Sequence, residues 1–367
     1  MKKTYSLLFT IITFSVFAQQ ALPPPAGYYS TATGSGYILK TQLYNIIKGH
    51  TDQGYTGLYT TYLTSDKDFY YENDGSLLDM YTENPTGPEC FFTYGINQDD
   101  GLGGTAECQK YNREHIVPQS VFSSATPMYS DAHFVVPSDK YLNAQRGNFP
   151  FGRVQTASNT YTNGSKRGNN QNSGYSAGYS NTVFEPIDEF KGDIARMIFY
   201  FITRYENTVS SYTYDMFNGT SNQVLTNTFL NILLTWHLND PVSVRETDRN
   251  DAIFARQGNR NPFIDNQNYV CQIWPTQCAT LSSESFAILN DISIYPNPTS
   301  NGAFSITSTE QLKTITVFNV NGQIIQEIKN PNTVTTETYN LSNLSSGFYL
   351  VQLASENGSV TKKVIVN

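Results

Sequence analysis

Apolar positions change their period along the chain, and each change predicts a different element. Ile38, Leu39, Leu43, Ile46 and Ile47 recur at helical spacing and predict a helix over residues 37–48 that stops near Gly49. From Thr51 to Gly104 the apolar runs are short and separated by turn residues; Leu77, Leu78, Met80 and Tyr81, introduced by Asn73-Asp74-Gly75, predict a strand after a tight turn. Strand-forming residues at 114–117 and 133–136 predict two further strands, with Pro118 and Pro137 marking their ends. Ser138 as N-cap, with Asp139 in the first turn, predicts a short helix carrying Asn143. Residues 152–182 are rich in Asn, Ser, Gly and Tyr and read as a loop.

Three helical stripes follow. Phe190, Ile194, Met197, Ile198, Phe201, Ile202 and Tyr205 form the clearest one; Leu225, Phe229, Ile232, Leu233 and Trp236 form a second that ends before Pro241. A third, over residues 247–257, stops at Gly258. Spacing of this kind is that of core packing. Beyond Cys278 the period drops to two, with Asn-Gly turns at 301–302, 321–322 and 357–358, which predicts a small all-β sandwich over residues 292–367.

At the opposite end, Met1-Lys2-Lys3 precedes an apolar run from Leu7 to Phe17 that is too short to span a bilayer, with Ala18 as a small residue for cleavage. Residues 1–18 therefore read as a signal peptide and 19–36 as a flexible leader, and no transmembrane segment is expected in the mature protein. The body of the chain divides into a domain over 37–280, a Ser-containing linker over 281–291 and the sandwich. Twenty-six Tyr and 22 Phe against 15% charged residues suit an exported protein. Four cysteines fit an oxidising compartment; they allow three pairings, of which Cys90 with Cys108 and Cys271 with Cys278 are the local choices. None lies in a Cys-x-x-Cys pair, which argues against structural zinc.

Candidate chemistry concentrates between Tyr111 and Gly152. Glu114-His115 is followed by Asp131-Ala132-His133 and then by Asn143-Ala144-Gln145-Arg146-Gly147-Asn148. Imidazole is a proton acceptor near neutral pH, whereas carboxylate and amide oxygens are hard ligands for Mg²⁺ or Ca²⁺. Phosphodiester hydrolysis needs both, a base for the attacking water and a cation for the phosphate oxygens. The formal charge of −8, more negative still without Lys2 and Lys3, opposes binding to a polyanion. Residues 139–167 answer in part, with Lys140, Arg146, Arg153, Lys166 and Arg167 against Asp139 alone.

The Glu-His-Ile-Val-Pro element at 114–118, with Asp131-x-His133, Pro137-Ser138-Asp139 and Asn143-x-x-Arg146-x-Asn148-x-x-Phe151-Gly152, resembles the endonuclease I family of secreted nucleases, members of the ββα-metal (His-Me finger) superfamily. The resemblance continues through Phe184-Glu185-Pro186 and Gln257-Gly258-Asn259-Arg260-Asn261-Pro262-Phe263 and covers about residues 35–268. It implies an α+β fold, a ββα-metal core with surrounding helices, and a monomeric endonuclease that cuts DNA, with RNA as a further substrate, to leave 5′-phosphates at low sequence specificity. It implies His115 as general base and Glu114 with Asn143 as ligands of one divalent ion, Mg²⁺ first, with Ca²⁺ or Mn²⁺ as alternatives. Arg146 is expected to hold a phosphate or to brace the loop by pairing with Asp131 or Asp139. His133 divides between orienting the metal site and a structural hydrogen bond, and Asn148 between orienting a ligand and making a turn. Better-known members carry an arginine between the Glu-His element and the Asn-bearing helix; residues 116–130 hold no Lys or Arg here, leaving Arg113, Arg146 and Arg153 for that role.

Within the C-terminal segment, Ile294-Tyr295-Pro296-Asn297-Pro298, Val317 to Gly322, Ser346 to Val351 and the final Lys362 to Val366 resemble the sorting domain of type IX secretion substrates. That implies export through the periplasm, with the type IX machinery as partner, to the medium or the cell surface. The competing class is a non-catalytic surface protein that binds nucleic acid or glycan.

Overall fold

The computed structural model describes residues 23–281 and 292–367, apart from 309–310, 321, 332–336 and 356–357. The expected signal peptide and most of the expected linker lie outside the described residues.

Helix α1 (Gly36–Ile47) buries Leu39, Leu43 and Ile47 of the predicted stripe and leaves Ile38 exposed, and α2 (Gly57–Ser65) follows. The expected strand at Leu77–Tyr81 does not form. Leu77 instead makes an isolated bridge to Lys67 and donates its amide to the Phe92 carbonyl. The apolar run is nevertheless buried in the core, so burial and not a ladder explains its composition.

At the centre lies the ββα unit. Strand β1 (Tyr111–His115) pairs antiparallel with β2 (Val135–Asp139), Tyr111 opposite Asp139 and His115 opposite Val135, and α3 (Lys140–Arg146) continues directly from β2. Pro137 does not end β2 as expected; it pairs with Arg113 inside the strand. A two-stranded sheet leaves each strand one unpaired edge, where a missing amide hydrogen costs no ladder bond. The cap is Asp139, one residue beyond Ser138, its carboxylate accepting from the Leu142 amide.

Residues 152–182 are not the loop their composition suggests. Strands β3 (Val154–Thr160), β4 (Lys166–Asn170) and β5 (Thr182–Glu185) form a three-stranded antiparallel sheet. Most of β3 is exposed, so its polar side chains face water while backbone pairing alone satisfies the strand. Gly168 in β4 is required by close approach, since a Cβ there would meet the Thr156 carbonyl at 2.3 Å.

Helix α4 (Lys191–Arg204) runs through the core, buried along nearly its whole length, and packs on α5 (Asn227–Asn239). Helix α6 (Val244–Gln257) begins three residues earlier than predicted, because Ser243 and Glu246 form a reciprocal capping box, and ends at Gly258 with φ +81°. Two short helices, α7 (Pro262–Asp265) and α8 (Asn268–Ile273), close the domain. Disulfides join Cys90 to Cys108 and Cys271 to Cys278.

The C-terminal segment is all-β. Strands β6 (Ser293–Tyr295), β7 (Phe304–Ser308), β8 (Leu312–Asn319), β9 (Ile324–Lys329), β10 (Glu337–Leu341), β11 (Gly347–Ser355) and β12 (Gly358–Val366) form two sheets, ordered β10-β7-β6 and β12-β11-β8-β9. Their inward residues, among them Ile306, Ile315, Val317, Val351, Leu353 and Val364, make a core separate from that of the first domain. Among the described residues no helix is long and apolar enough to cross a membrane.

Candidate active site

Strand alternation sorts the side chains of β1 onto two faces. Asn112 and Glu114 turn toward α3, whereas Arg113 and His115 turn toward α2 and the turns that follow β1.

On the α3 side, Glu114 is 3% exposed. Its Oε1 accepts from the Tyr81 hydroxyl at 2.7 Å and from Arg146 Nη1 at 2.9 Å. Burial raises the pKa of this carboxyl, and the Arg146 guanidinium and the Tyr81 hydroxyl act against that rise. Asn143, one turn before Arg146 on α3, gives its Nδ2 to Asn112 Oδ1 at 2.8 Å and to the Arg113 carbonyl at 3.3 Å. Tyr81 and Arg146 both bind Glu114 Oε1, and neither side-chain donor reaches Oε2; Asn143 Oδ1 accepts from no described residue. A carboxylate and an amide oxygen, both hard donors, fit a divalent cation such as Mg²⁺.

On the other face, His115 is 4% exposed. Its Nε2 lies 3.1 Å from the Tyr129 carbonyl, an acceptor only, so Nε2 carries the hydrogen and Nδ1 keeps the lone pair. Tyr55 and Tyr129 lie parallel to the ring, and Phe122 and Phe134 close its edges. This burial, with the Arg113 and Arg146 charges, pushes the imidazole down to about 4 and keeps it neutral at physiological pH. Arg113 stacks on the rings of Tyr55 at 3.5 Å and Tyr59 at 4.2 Å, with Nη1 donating to the Tyr55 carbonyl.

Several expected roles change. Arg146 is fully buried and pairs with Glu114, not with Asp131 or Asp139, while also donating to the His115 and Ile116 carbonyls. A guanidinium so enclosed positions Glu114 and reaches no solvent-borne phosphate. His133 bonds the Asn259 carbonyl at 3.0 Å and packs on Tyr200. It belongs to a buried network around Asp131, whose carboxylate accepts from the Tyr200 and Tyr205 hydroxyls and from Gln257. Neither Glu114 nor Asn143 is a partner in that network, which favours the structural reading of His133. Asn148 is exposed and helps line an open cleft of about 660 Å³ between Ser120-Val121, which follow β1, and the Gly147–Pro150 turn, which follows α3.

The basic stretch is largely spent within the fold. Lys140 pairs with Asp99, Arg167 bonds Gln145 and Asn159, Arg153 is buried against Tyr175, and Lys166 alone of the five is exposed. The later arginines are engaged likewise: Arg245 with Asp193, Arg249 with Asp66, and Arg260 with Asp251 and Asp265, while Arg256 donates to Thr61. Burial removes Arg245, Arg249 and Arg260 as phosphate contacts, while Arg256 is half-buried. Tyr81, Tyr129 and Tyr55, which hold the two central side chains, carry no sequence signal, because the Tyr81 to Glu114 bond spans 33 positions and Tyr129 acts through its backbone.

Comparison with known proteins bears on both domains. The family model described as Endonuclease I matches residues 35–268, and the one described as Secretion system C-terminal sorting domain matches residues 293–367. An extracellular ribonuclease of Bacillus amyloliquefaciens is 32% identical over 252 residues, 67% of this chain and 78% of that protein. Its namesake in Bacillus subtilis is 32% identical over 253 residues, 68% and 78% of the two chains. A solved structure of PorZ, a surface component of the Porphyromonas gingivalis type IX secretion system, aligns over 23% of this chain and 12% of that chain at 16% identity, with a TM-score of 0.20.

Proposed function

The chain belongs to the endonuclease I family and carries a type IX sorting domain that directs it to the cell exterior or surface, and from that membership we propose that it is a divalent-metal-dependent endonuclease. Its substrates are the phosphodiester bonds of RNA and DNA, cut with low sequence specificity to leave 5′-phosphates. RNA gains weight from the two extracellular ribonucleases to which the chain is similar.

The observation that supports this reading is that Glu114 and His115 are the last two residues of β1, where a strand end lets neighbouring side chains serve one site. His115 is neutral, its tautomer set by the Tyr129 carbonyl, with a lone pair at Nδ1. Asn143, on the helix that continues from β2, has an Oδ1 that accepts from no described residue. The bond that forms joins a water oxygen to phosphorus, the bond that breaks is P–O3′, and His115 Nδ1 takes the proton of the attacking water. Glu114 and Asn143 would hold a divalent cation, which would offset charge on the phosphate and the departing oxygen. Arg113, on the His115 face, supplies the fixed positive charge that Arg146 cannot bring to substrate.

The test is hydrolysis of plasmid DNA and of structured RNA with Mg²⁺, Mn²⁺ or Ca²⁺. Cleavage that chelator abolishes, and that folded His115→Ala protein lacks, is the expected result. A folded His115→Ala protein that cuts at the parent rate refutes the assignment, and binding without cleavage by the parent would make this a surface binding protein.

A further inference from the structure

A second concentration of carboxylates lies in the long connection between α2 and β1, apart from Glu114 and Asn143. Asp68, Glu72, Asp74, Glu83 and Glu89 all come from this segment. One oxygen each from Asp68, Asp74 and Glu89 fall within 4.8 Å of one another, and so do one each from Asp68, Glu72 and Glu83. Asp68 is fully buried, and the amides of Tyr70, Tyr71, Glu72 and Asn73 wrap around its two oxygens at 3.0–3.2 Å.

A cluster of acids is common without an ion, but Glu83 is not. It is fully buried in the same cluster, and its carboxylate oxygens, like the buried Glu89 Oε1 beside it, meet no N–H or O–H donor; Glu83 faces only the Glu89 carboxyl. Among the described residues no Lys or Arg forms an ion pair with any of the five. Lys67, in the same loop, gives its ammonium to the Gly75 carbonyl. Burial and the facing Glu89 carboxylate push Glu83 up to about 10. A carboxylate in that position needs either a proton or a cation, because its ionised form is shut off from bulk solvent and meets no donor.

We propose that this cluster is a Ca²⁺ site, with Asp68 shared between the Asp74–Glu89 and Glu72–Glu83 triads, structural in role and separate from the catalytic ion. The donor set is all hard oxygen, with no His or Cys to favour zinc. Calcium–oxygen distances of about 2.4 Å let two ligands lie no more than about 4.8 Å apart across the ion, and the oxygens of each triad lie within that limit. Extracellular calcium modules work at weak, roughly millimolar to submillimolar affinity, which suits a secreted protein and a site with two exposed ligands, Glu72 and Asp74. What the ion holds follows from chain order: Glu83 lies two residues after Tyr81, whose hydroxyl bonds Glu114, and Asp79 accepts from the Asp139 amide. Closing the loop on Ca²⁺ fixes Tyr81 against the Glu114 carboxylate.

The experiment uses the full mature chain carrying Asn143→Ala, so that ions at the catalytic position contribute least. Ca²⁺ is titrated by calorimetry and by melting temperature, and Tb³⁺ is added as a luminescent probe sensitised by Tyr70, Tyr71 and Tyr81. The expected results are a Ca²⁺-dependent rise in melting temperature and Tb³⁺ emission that Ca²⁺ displaces, with affinity weakened at least about tenfold by adding Glu83→Gln. Should Glu83→Gln not fold, the exposed pair Glu72→Gln and Asp74→Asn gives the same readout. Absence of Ca²⁺ stabilisation and of Tb³⁺ emission in the Asn143→Ala protein overturns the site and leaves Glu83 protonated. Unchanged affinity in the cluster variants also overturns it. Neither result touches the catalytic assignment, which is read from cleavage.

Discussion

Arg146 Nη1 donates to Glu114 Oε1 at 2.9 Å while the same guanidinium caps the His115 and Ile116 carbonyls, so one buried cation fixes both the carboxylate and the strand end that carries the imidazole. Removing a partner from a buried pair leaves the other charge uncompensated, at about 3–5 kcal/mol. Arg146→Met should therefore lower stability by that amount in urea denaturation, and adding Glu114→Gln should restore part of it. A variant as stable as the parent, with only its KM raised, would return Arg146 to the substrate.

His115 lies near 4 instead of its ordinary 6.5. Protonation removes the lone pair at Nδ1, so activity at saturating Mg²⁺ should be flat from about pH 5 to 7 and fall as pH drops through about 4. An acid limb centred near 6.5 would contradict this. Between 6.5 and 4 the unfolded chain binds this proton and the folded chain does not, so the contribution of this ring to stability falls over the same interval on acidification. His115→Ala should lower kcat by about 10²–10⁴-fold.

Tyr81→Phe deletes one of the two donors that orient the Glu114 carboxylate. Groups that orient a metal ligand are typically worth about 10–100-fold in metal affinity. The Mg²⁺ concentration for half-maximal activity should rise by at least about tenfold, with the fold intact by circular dichroism. An unchanged Mg²⁺ dependence would show that Arg146 alone suffices.

The Cys90–Cys108 bridge closes 18 positions just ahead of β1, and the Cys108 amide donates to Asp139, the cap of α3. Replacing both cysteines by serine should cost about 3 kcal/mol through the freedom regained by the unfolded chain. Denaturation of this variant beside the oxidised parent gives the difference, and a loss well under 1 kcal/mol would mean that the loop is held by other contacts.

The sequence by itself determined the elements whose information is local. The stripes of α1, α4 and α5 repeat within single turns, and the Gly258 stop and the Asn-Gly turn at 301–302 depend on adjacent residues; of the three cysteine pairings the sequence allowed, the fold makes the local one. The tight ordering of Glu114, His115 and Asn143 made a nuclease legible, since chemistry of that kind is written in residue types at near-fixed intervals. Only the tertiary structure decided what each charge faces. Arg146 reads as a cation free for phosphate, but Glu114, 32 positions away, consumes it, as Asp66 consumes Arg249 across 183 positions. The polar run at 152–182 reads as loop because side-chain composition does not reveal which backbone will complete its hydrogen bonds; here β4 lies between β3 and β5 and pairs with both. Long-range pairing is set by the packing of the whole core, and no window of sequence contains it.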